Sequence, residues 1–265
     1  MTARTSFRSI ILLAGAAFAS VSALAQTNVF DLHLQGKEVG HDTYTLTKGK
    51  TGYKVASHLS GAYKNTDLDF KDAISYDENY LFLDGSQTSQ NTNSQFSYLP
   101  SKDRKEMTIA VAANGHTSSN FEPITGTDLI FLPPFDAGAA QALLLQAVLH
   151  PAEKDLYTVY LTSNYGMFAS PGSEPLPGGI HYFKAVWLKG VPLTGLLDGK
   201  QIPINTYALA FGKFRWIFFA DEQNNLMQVN VSLLRGSYIR SKFKLNAPAR
   251  KDAAEAAPKK NGTPE

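Results

Sequence analysis

Apolar and polar residues alternate from Val29 to Pro123, and this period of two constrains the chain more than any other feature it carries. Phe30, Leu32 and Leu34 share one side, while Asp31, His33 and Gln35 share the other. The alternation returns in Tyr44/Leu46, Tyr53/Val55/Leu59, Leu68/Phe70/Ile74/Tyr76 and Met107/Ile109/Val111. Successive side chains of a strand point to opposite faces, so runs of this kind are strands with one face against a core. Gln35-Gly36-Lys37, Lys48-Gly49-Lys50 and Asn114-Gly115 separate them as turns. Asn-Gly is the most specific of these, because a type I′ hairpin needs positive φ at both central positions. Hairpins in series build an antiparallel meander. The chain is therefore expected to be mainly β, with a single curved antiparallel sheet in the form of a β-roll or half-open barrel.

The texture changes once, near Phe131. Leu132-Pro133-Pro134-Phe135-Asp136 leads into an Ala/Leu-rich segment that closes at His150-Pro151. Asp136 is a natural N-cap, so the spacing predicts a helix near 136–149. Gln141 and Gln146 are its only polar side chains. A helix apolar nearly all round must be buried, and this one is too short to cross a bilayer. Strands are expected again over 156–163, 180–188, 204–211, 214–220 and 226–234, with Asp198-Gly199 as a second hairpin turn. Gly166 to Gly179 is a Pro/Gly-rich loop that begins with Met167 and Phe168. The Ala/Pro/Lys/Glu-rich stretch 247–265 reads as a disordered tail. No internal repeat or second boundary interrupts 26–246, which reads as one domain.

The first 25 residues have the order of a secretory signal: Arg4 and Arg8, an apolar run from Ile10 to Ala19, and Ala23-Leu24-Ala25 as a small-x-small cleavage site. Cleavage after Ala25 would start the mature chain at Gln26, without the cysteine that a lipoprotein tether needs, and would place it in the periplasm or outside the cell. The chain has no cysteine at all, so no disulfide staples it. Of the 25 basic and 23 acidic residues, two basic ones lie in this leader, so the remainder is neutral overall. Nucleic acid and an anionic membrane surface are unexpected partners for such a balance, as is stable membrane insertion.

Nucleophile elbows, phosphate-binding loops, zinc-helix motifs and calcium loops are all absent from the sequence. Ser241-Lys242-Phe243-Lys244 has the Ser-x-x-Lys spacing but ends a strand instead of opening a helix. His33, His41 and His58 fall on early strands opposite the apolar faces, without i, i+2 or i, i+4 pairs, and read as solvated positions. Asp67 and Asp69 face solvent by the same alternation. Asp42 and Asp72 do not: each shares parity with apolar neighbours, and a carboxylate on an apolar face needs a partner or a function. A buried hydrogen bond from a tyrosine to Asp72 is the simplest expectation. No catalytic residue, metal ligand or cofactor is assigned.

Gln35-Gly36-Lys37-Glu38-Val39-Gly40, followed by the Tyr44 strand, resembles the opening of an uncharacterised family of bacterial periplasmic β-roll proteins. Phe214-Arg215-Trp216-Ile217-Phe218-Phe219-Ala220-Asp221 with Asn225-Leu226-Met227-Gln228-Val229 is similar to the terminal hairpin of that family. In layout the likeness spans residues 27–245. It extends loosely to lipoprotein-carrier folds, whose half-open sheet holds an acyl chain beneath a helical lid. The resemblance implies a curved sheet with a helix on its concave side, and no catalytic residues.

Sixteen Phe, twelve Tyr and two Trp fit either a solid β core or a lipophilic cavity. The expected function is binding of a lipid or other envelope-derived hydrophobic ligand. The helix would be the floor and the Met167/Phe168 loop the gate, with Tyr53, Leu68, Phe70, Tyr76, Leu144, Phe183 and Trp216 as lining. The alternative is a structural or protein-interaction role with an envelope protein and no ligand. An enzyme would instead place a perturbed carboxylate or histidine in a cleft.

Overall fold

The structure is a computed structural model, and it describes residues 27–64, 66–91, 93–113, 115–124, 129–132, 136–152, 155–161, 181–232 and 235–246. Among the described residues, seventeen strands and one helix are formed. The first eight strands are β1 (Thr27–Leu34), β2 (Lys37–Lys48), β3 (Tyr53–Tyr63), β4 (Thr66–Tyr76), β5 (Phe82–Ser89), β6 (Ser94–Pro100), β7 (Glu106–Ala113) and β8 (His116–Pro123). Then come β9 (Leu129–Leu132), α1 (Ala137–Leu149), β10 (Leu156–Leu161), β11 (His181–Lys189), β12 (Leu193–Leu197) and β13 (Lys200–Phe211). β14 (Phe214–Ala220), β15 (Leu226–Val231), β16 (Gly236–Arg240) and β17 (Phe243–Asn246) complete the chain.

The sheet is mainly antiparallel and does not close. From β1 one arm runs outward through β2, β3, β4, β5, β6 and β7 to β8, every neighbour joined by a hairpin. The other arm runs from β1 to β16, β15, β14, β13, β11, β10 and finally β9. The last pair, β9 with β10, is parallel, because α1 lies between them in sequence. β12 leaves the main sheet and pairs with the start of β13 and with β17. Short strands such as β9, β12 and β17 carry too few alternating positions to be bounded from sequence; the Asp198-Gly199 turn implied a strand before it, and Ser241–Lys244, expected to end a strand, instead spans a turn and the start of β17.

Turn chemistry fixes the registers. Leu34 pairs with Lys37 around Gln35 (φ 53°) and Gly36 (φ 78°), the two positive φ values of a type I′ turn. Leu197 pairs with Lys200 around Asp198 (φ 50°) and Gly199 (φ 77°) in the same way. Ala113 pairs with His116, as a two-residue turn requires; Asn114 itself lies outside the described residues.

Both arms curl around α1, which touches β2 and β3 on one side and β15 and β9 on the other. Asp136 caps it, its Oδ1 accepting from the Ala139 N–H at 2.9 Å. Every residue from Ala137 to Leu144 is buried. The largest core joins Ala140, Leu143, Leu144 and Ala147 of the helix to Phe30, Leu59 and Phe70 of one arm and to Trp216, Phe218 and Val229 of the other. A second core sets Ala139 and Ala142 against Val55, Ile74, Tyr76 and Phe82. Burying a side chain of this size stabilises by about 1.5–3 kcal/mol, so the helix is the element that holds the two arms together. On the convex face, β12 and β17 cover a small third core around Ile204, Phe219, Met227 and Phe243.

Residues 1–26, 162–180 and 247–265, on which the expected leader (1–25), the expected Gly166–Gly179 loop with Met167 and Phe168, and the expected tail fall, lie outside the described residues.

Candidate functional site

Cross-strand register draws one polar row across the concave face. Tyr44 on β2 faces Ser57 on β3, Ser57 faces Asp72 on β4, and Asp72 faces Gln87 on β5. One step along, Asp42 faces Leu59 and Phe70 lies beyond it. All of these polar residues are buried, and the N-terminus of α1 descends onto the row, bringing Asp136. Asp42 Oδ2 accepts from the Ala137 N–H at 2.6 Å, so two carboxyl groups share one helix end. Ser57 lies beside Asp136 and Gln87 beside Asp72, each placed to favour the charged carboxylate. The Gln87 amide thus stands against Asp72 where a tyrosine hydroxyl was expected. Tyr76 lies near Asp72 and Asp136, yet its hydroxyl, like Asp42 Oδ1, finds no hydrogen-bond partner among the described residues.

Burial is the main cause that pushes the Asp42 and Asp72 carboxyls well above the usual carboxylate range. The neighbouring acid Asp136 pushes both further, and the helix N–H of Ala137 offsets part of the rise at Asp42. Asp136 is raised by burial and pulled back by its bonds to Ala139, Ser57 and Gly138. Burial likewise raises the Tyr44 and Tyr76 hydroxyls. This chemistry holds protons. It is ill suited to a cation, because the positive end of the helix dipole already occupies the row. Among the described residues no group of three or more His, Asp or Glu side chains has the spacing to hold a metal ion. The acids line none of the three clefts described below.

Gln141 gives the apolar helix a polar anchor. Its Oε1 accepts from the Leu226 N–H at 2.7 Å and from the Tyr44 hydroxyl at 3.4 Å, and its Nε2 donates to the Asn224 carbonyl at 2.9 Å. One side chain thereby ties β2 to the turn before β15.

The residues expected to line a ligand site are distributed over several places. Leu68, Phe70, Leu144 and Trp216 are buried together in the largest core, where they pack against one another's neighbours as interior side chains. The Trp216 indole N–H finds no acceptor among the described residues. Tyr76 belongs to the second core. Tyr53 is half-buried and stacks on Tyr80, ring centroids 4.2 Å apart. The backbone of Phe183 pairs with Val159, while its side chain lies outside the described residues, as do Met167 and Phe168. Tyr53 and Tyr76 alone meet in a cleft, of about 430 Å³, between the 49–52 turn and Leu83-Asp84.

The histidines fall outward and find carboxylates. His58 Nε2 lies 2.9 Å from Asp69 Oδ1, and His41 Nδ1 lies 2.9 Å from Asp31 Oδ1. Ser241 and Lys242 occupy the turn between β16 and β17, and Lys242 Nζ reaches Asp198 at 3.3 Å.

At the far end of the first arm, β6, β7 and β8 project as a wing. β8 is exposed along its whole length except at half-buried Glu122, and among the described strands it pairs only with β7. Leu99 (57% exposed) and Phe121 (62% exposed) flank Thr108 in one cross-strand row on the wing's outer face. The wing tip forms a cleft of about 380 Å³ lined by hydroxyl and amide side chains, among them Thr88, Gln90, Asn93, Gln95 and Thr117.

Among the described residues, an open antiparallel sheet wrapped on one buried helix, with an internal acid row and an outer strand paired on one side, defines the architectural class. No protein-family model, curated protein or solved structure matches the chain.

Proposed function

We propose that this chain is an exported recognition protein of the cell envelope that binds a partner polypeptide by strand addition along β8. One observation carries the reading: among the described residues β8 pairs only with β7, which leaves its other edge without a strand partner. Sheet edges in stable proteins are blunted by charges, prolines or a covering element, because their free N–H and C=O groups template another strand. β8 has no charge or proline between Thr117 and Phe121, where the sequence is Thr-Ser-Ser-Asn-Phe. An extended segment docked there would gain main-chain hydrogen bonds, with Leu99 and Phe121 giving one face of it an apolar contact. The test is a photo-crosslinking residue at Ser119 in the native envelope. A discrete adduct is expected, lost on Ser118→Pro and weakened by Phe121→Lys. Adducts unaffected by both changes would sink the reading.

A second reading, binding of a hydrophobic ligand, is favoured by the 430 Å³ cleft that brings Tyr53 beside Tyr76. It places the ligand at the rim of the sheet instead of over the helix, since the helix fills the concave side. Tyrosine fluorescence quenching by fatty acids, abolished by Tyr53→Ser, would support it.

A further inference from the structure

A cationic cleft and an apolar band meet on the convex face of the second arm. Register places Leu156 of β10 opposite Val186 of β11, Val186 opposite Ala210 of β13, and Ala210 opposite Arg215 of β14. The adjacent outward row is Leu188, Ala208, Ile217 and Asn230. Leu156 (47%), Val186 (37%) and Leu188 (50%) are all exposed, a contiguous group where a solvated sheet face would be polar. Neighbouring strands are about 4.8 Å apart, so three steps carry the band roughly 15 Å to Arg215. There Lys213, Arg215 and Arg235 surround a cleft of about 310 Å³ floored by Ile217 and Val231. Lys184, on the outward side of β11, adds a fourth cation, its Nζ held 2.8 Å from Thr158 Oγ1. Between Thr206 and Arg240 the only carboxylates are Asp221 and Glu222, in the turn at the opposite end of β14. Asp155 stands at the outer margin, beside Leu156.

We infer that this face docks on an anionic phospholipid surface. Lys213, Arg215 and Arg235 would take headgroup phosphates, and the Leu156–Val186–Leu188 band would lie against the acyl boundary. Charge complementarity selects this occupant: a cluster of basic side chains beside exposed aliphatic ones matches a leaflet that is negative at its surface and apolar just beneath. The small net charge of the chain, +2, conceals the cluster, because acids elsewhere offset it.

The test is co-sedimentation of the full chain with phosphatidylcholine vesicles, with and without phosphatidylglycerol. Binding is expected only to the anionic vesicles, declining as salt is raised through the physiological range. Lys213→Glu with Arg215→Glu should lower partitioning at least tenfold, and Val186→Ser with Leu188→Ser should lower it several-fold, both with unchanged circular dichroism. Equal binding to neutral vesicles, no binding, or binding indifferent to the charge reversals would overturn the inference; a contribution from the first 25 residues would show that indifference. Equal competition by soluble polyglutamate would also overturn it, in favour of an acidic protein partner.

Discussion

The Ala137 N–H donates to Asp42 Oδ2 at 2.6 Å across a separation of 95 positions, so a carboxyl group of the second strand serves as an additional cap for the only helix described. With Asp136 capping the Ala139 N–H, the entry of the helix into the concave face is fixed by two acids, and both lie close enough to raise the cost of ionising a third, Asp72. The arrangement makes the seat of the helix sensitive to protons.

Stability should fall as pH rises above the ordinary aspartate value near 4. The Asp42 and Asp72 carboxyls titrate above their unfolded values. Their contribution is therefore fully present below about pH 4 and is lost as pH rises through the folded-state values. Each proton that the folded state retains and the unfolded state has released lowers stability by about 1.4 kcal/mol per pH unit. Urea unfolding between pH 4 and pH 9 should show this decline, and Asp72→Asn should flatten it.

Asp136→Ala and Asp136→Asn should separate capping from repulsion. Alanine removes the bond to Ala139, at a cost of about 1–2 kcal/mol. Asparagine keeps an oxygen in place for that bond and removes a charge next to Asp42, so it should be neutral or stabilising above pH 7. Thermal melts of the two variants at one pH decide the matter; equal destabilisation would exclude the repulsive component.

Gly138→Ala should destabilise, against the usual preference of helices for alanine, worth about 1 kcal/mol. A Cβ at Gly138 would sit 2.5 Å from Val55 Cγ1 and 3.0 Å from Tyr44 Cβ. Overpacking of that kind costs about 1–3 kcal/mol. The double change with Val55→Ala should recover part of the loss, read as the midpoint of denaturant unfolding.

Gln141→Leu is close in size but should cost about 1–3 kcal/mol, because it leaves the buried Leu226 N–H without its acceptor. Hydrogen exchange at Leu226 should accelerate more than exchange at Leu209 on β13, two strands away.

Leu144→Ala should cost about 2–5 kcal/mol if the helix is packed solidly into the sheet. A floor facing an open ligand cavity would tolerate the truncation with a much smaller change in stability.

The sequence by itself determined the period of each long strand, the turns at Gln35-Gly36 and Asp198-Gly199, and the single helix begun by Asp136. These are local properties: φ preferences, capping groups and side-chain alternation act over a few residues and need no knowledge of the partner strand. Parity also marked Asp42 and Asp72 as inward acids. Tertiary structure decided what parity cannot reach. Alternation says which face a side chain occupies, not which strand lies beside it. Only the registers of β2 through β5 bring Tyr44, Ser57, Asp72 and Gln87 into one row, and only the docked helix adds Asp136 to it. The same holds for the lining once expected from Leu68, Phe70, Leu144 and Trp216: an inward aromatic or aliphatic side chain has the same sequence signature whether the space before it is empty or filled. Here the curl of two arms around a helix apolar nearly all round packs those four side chains into one core, which removes their apolar surface from water.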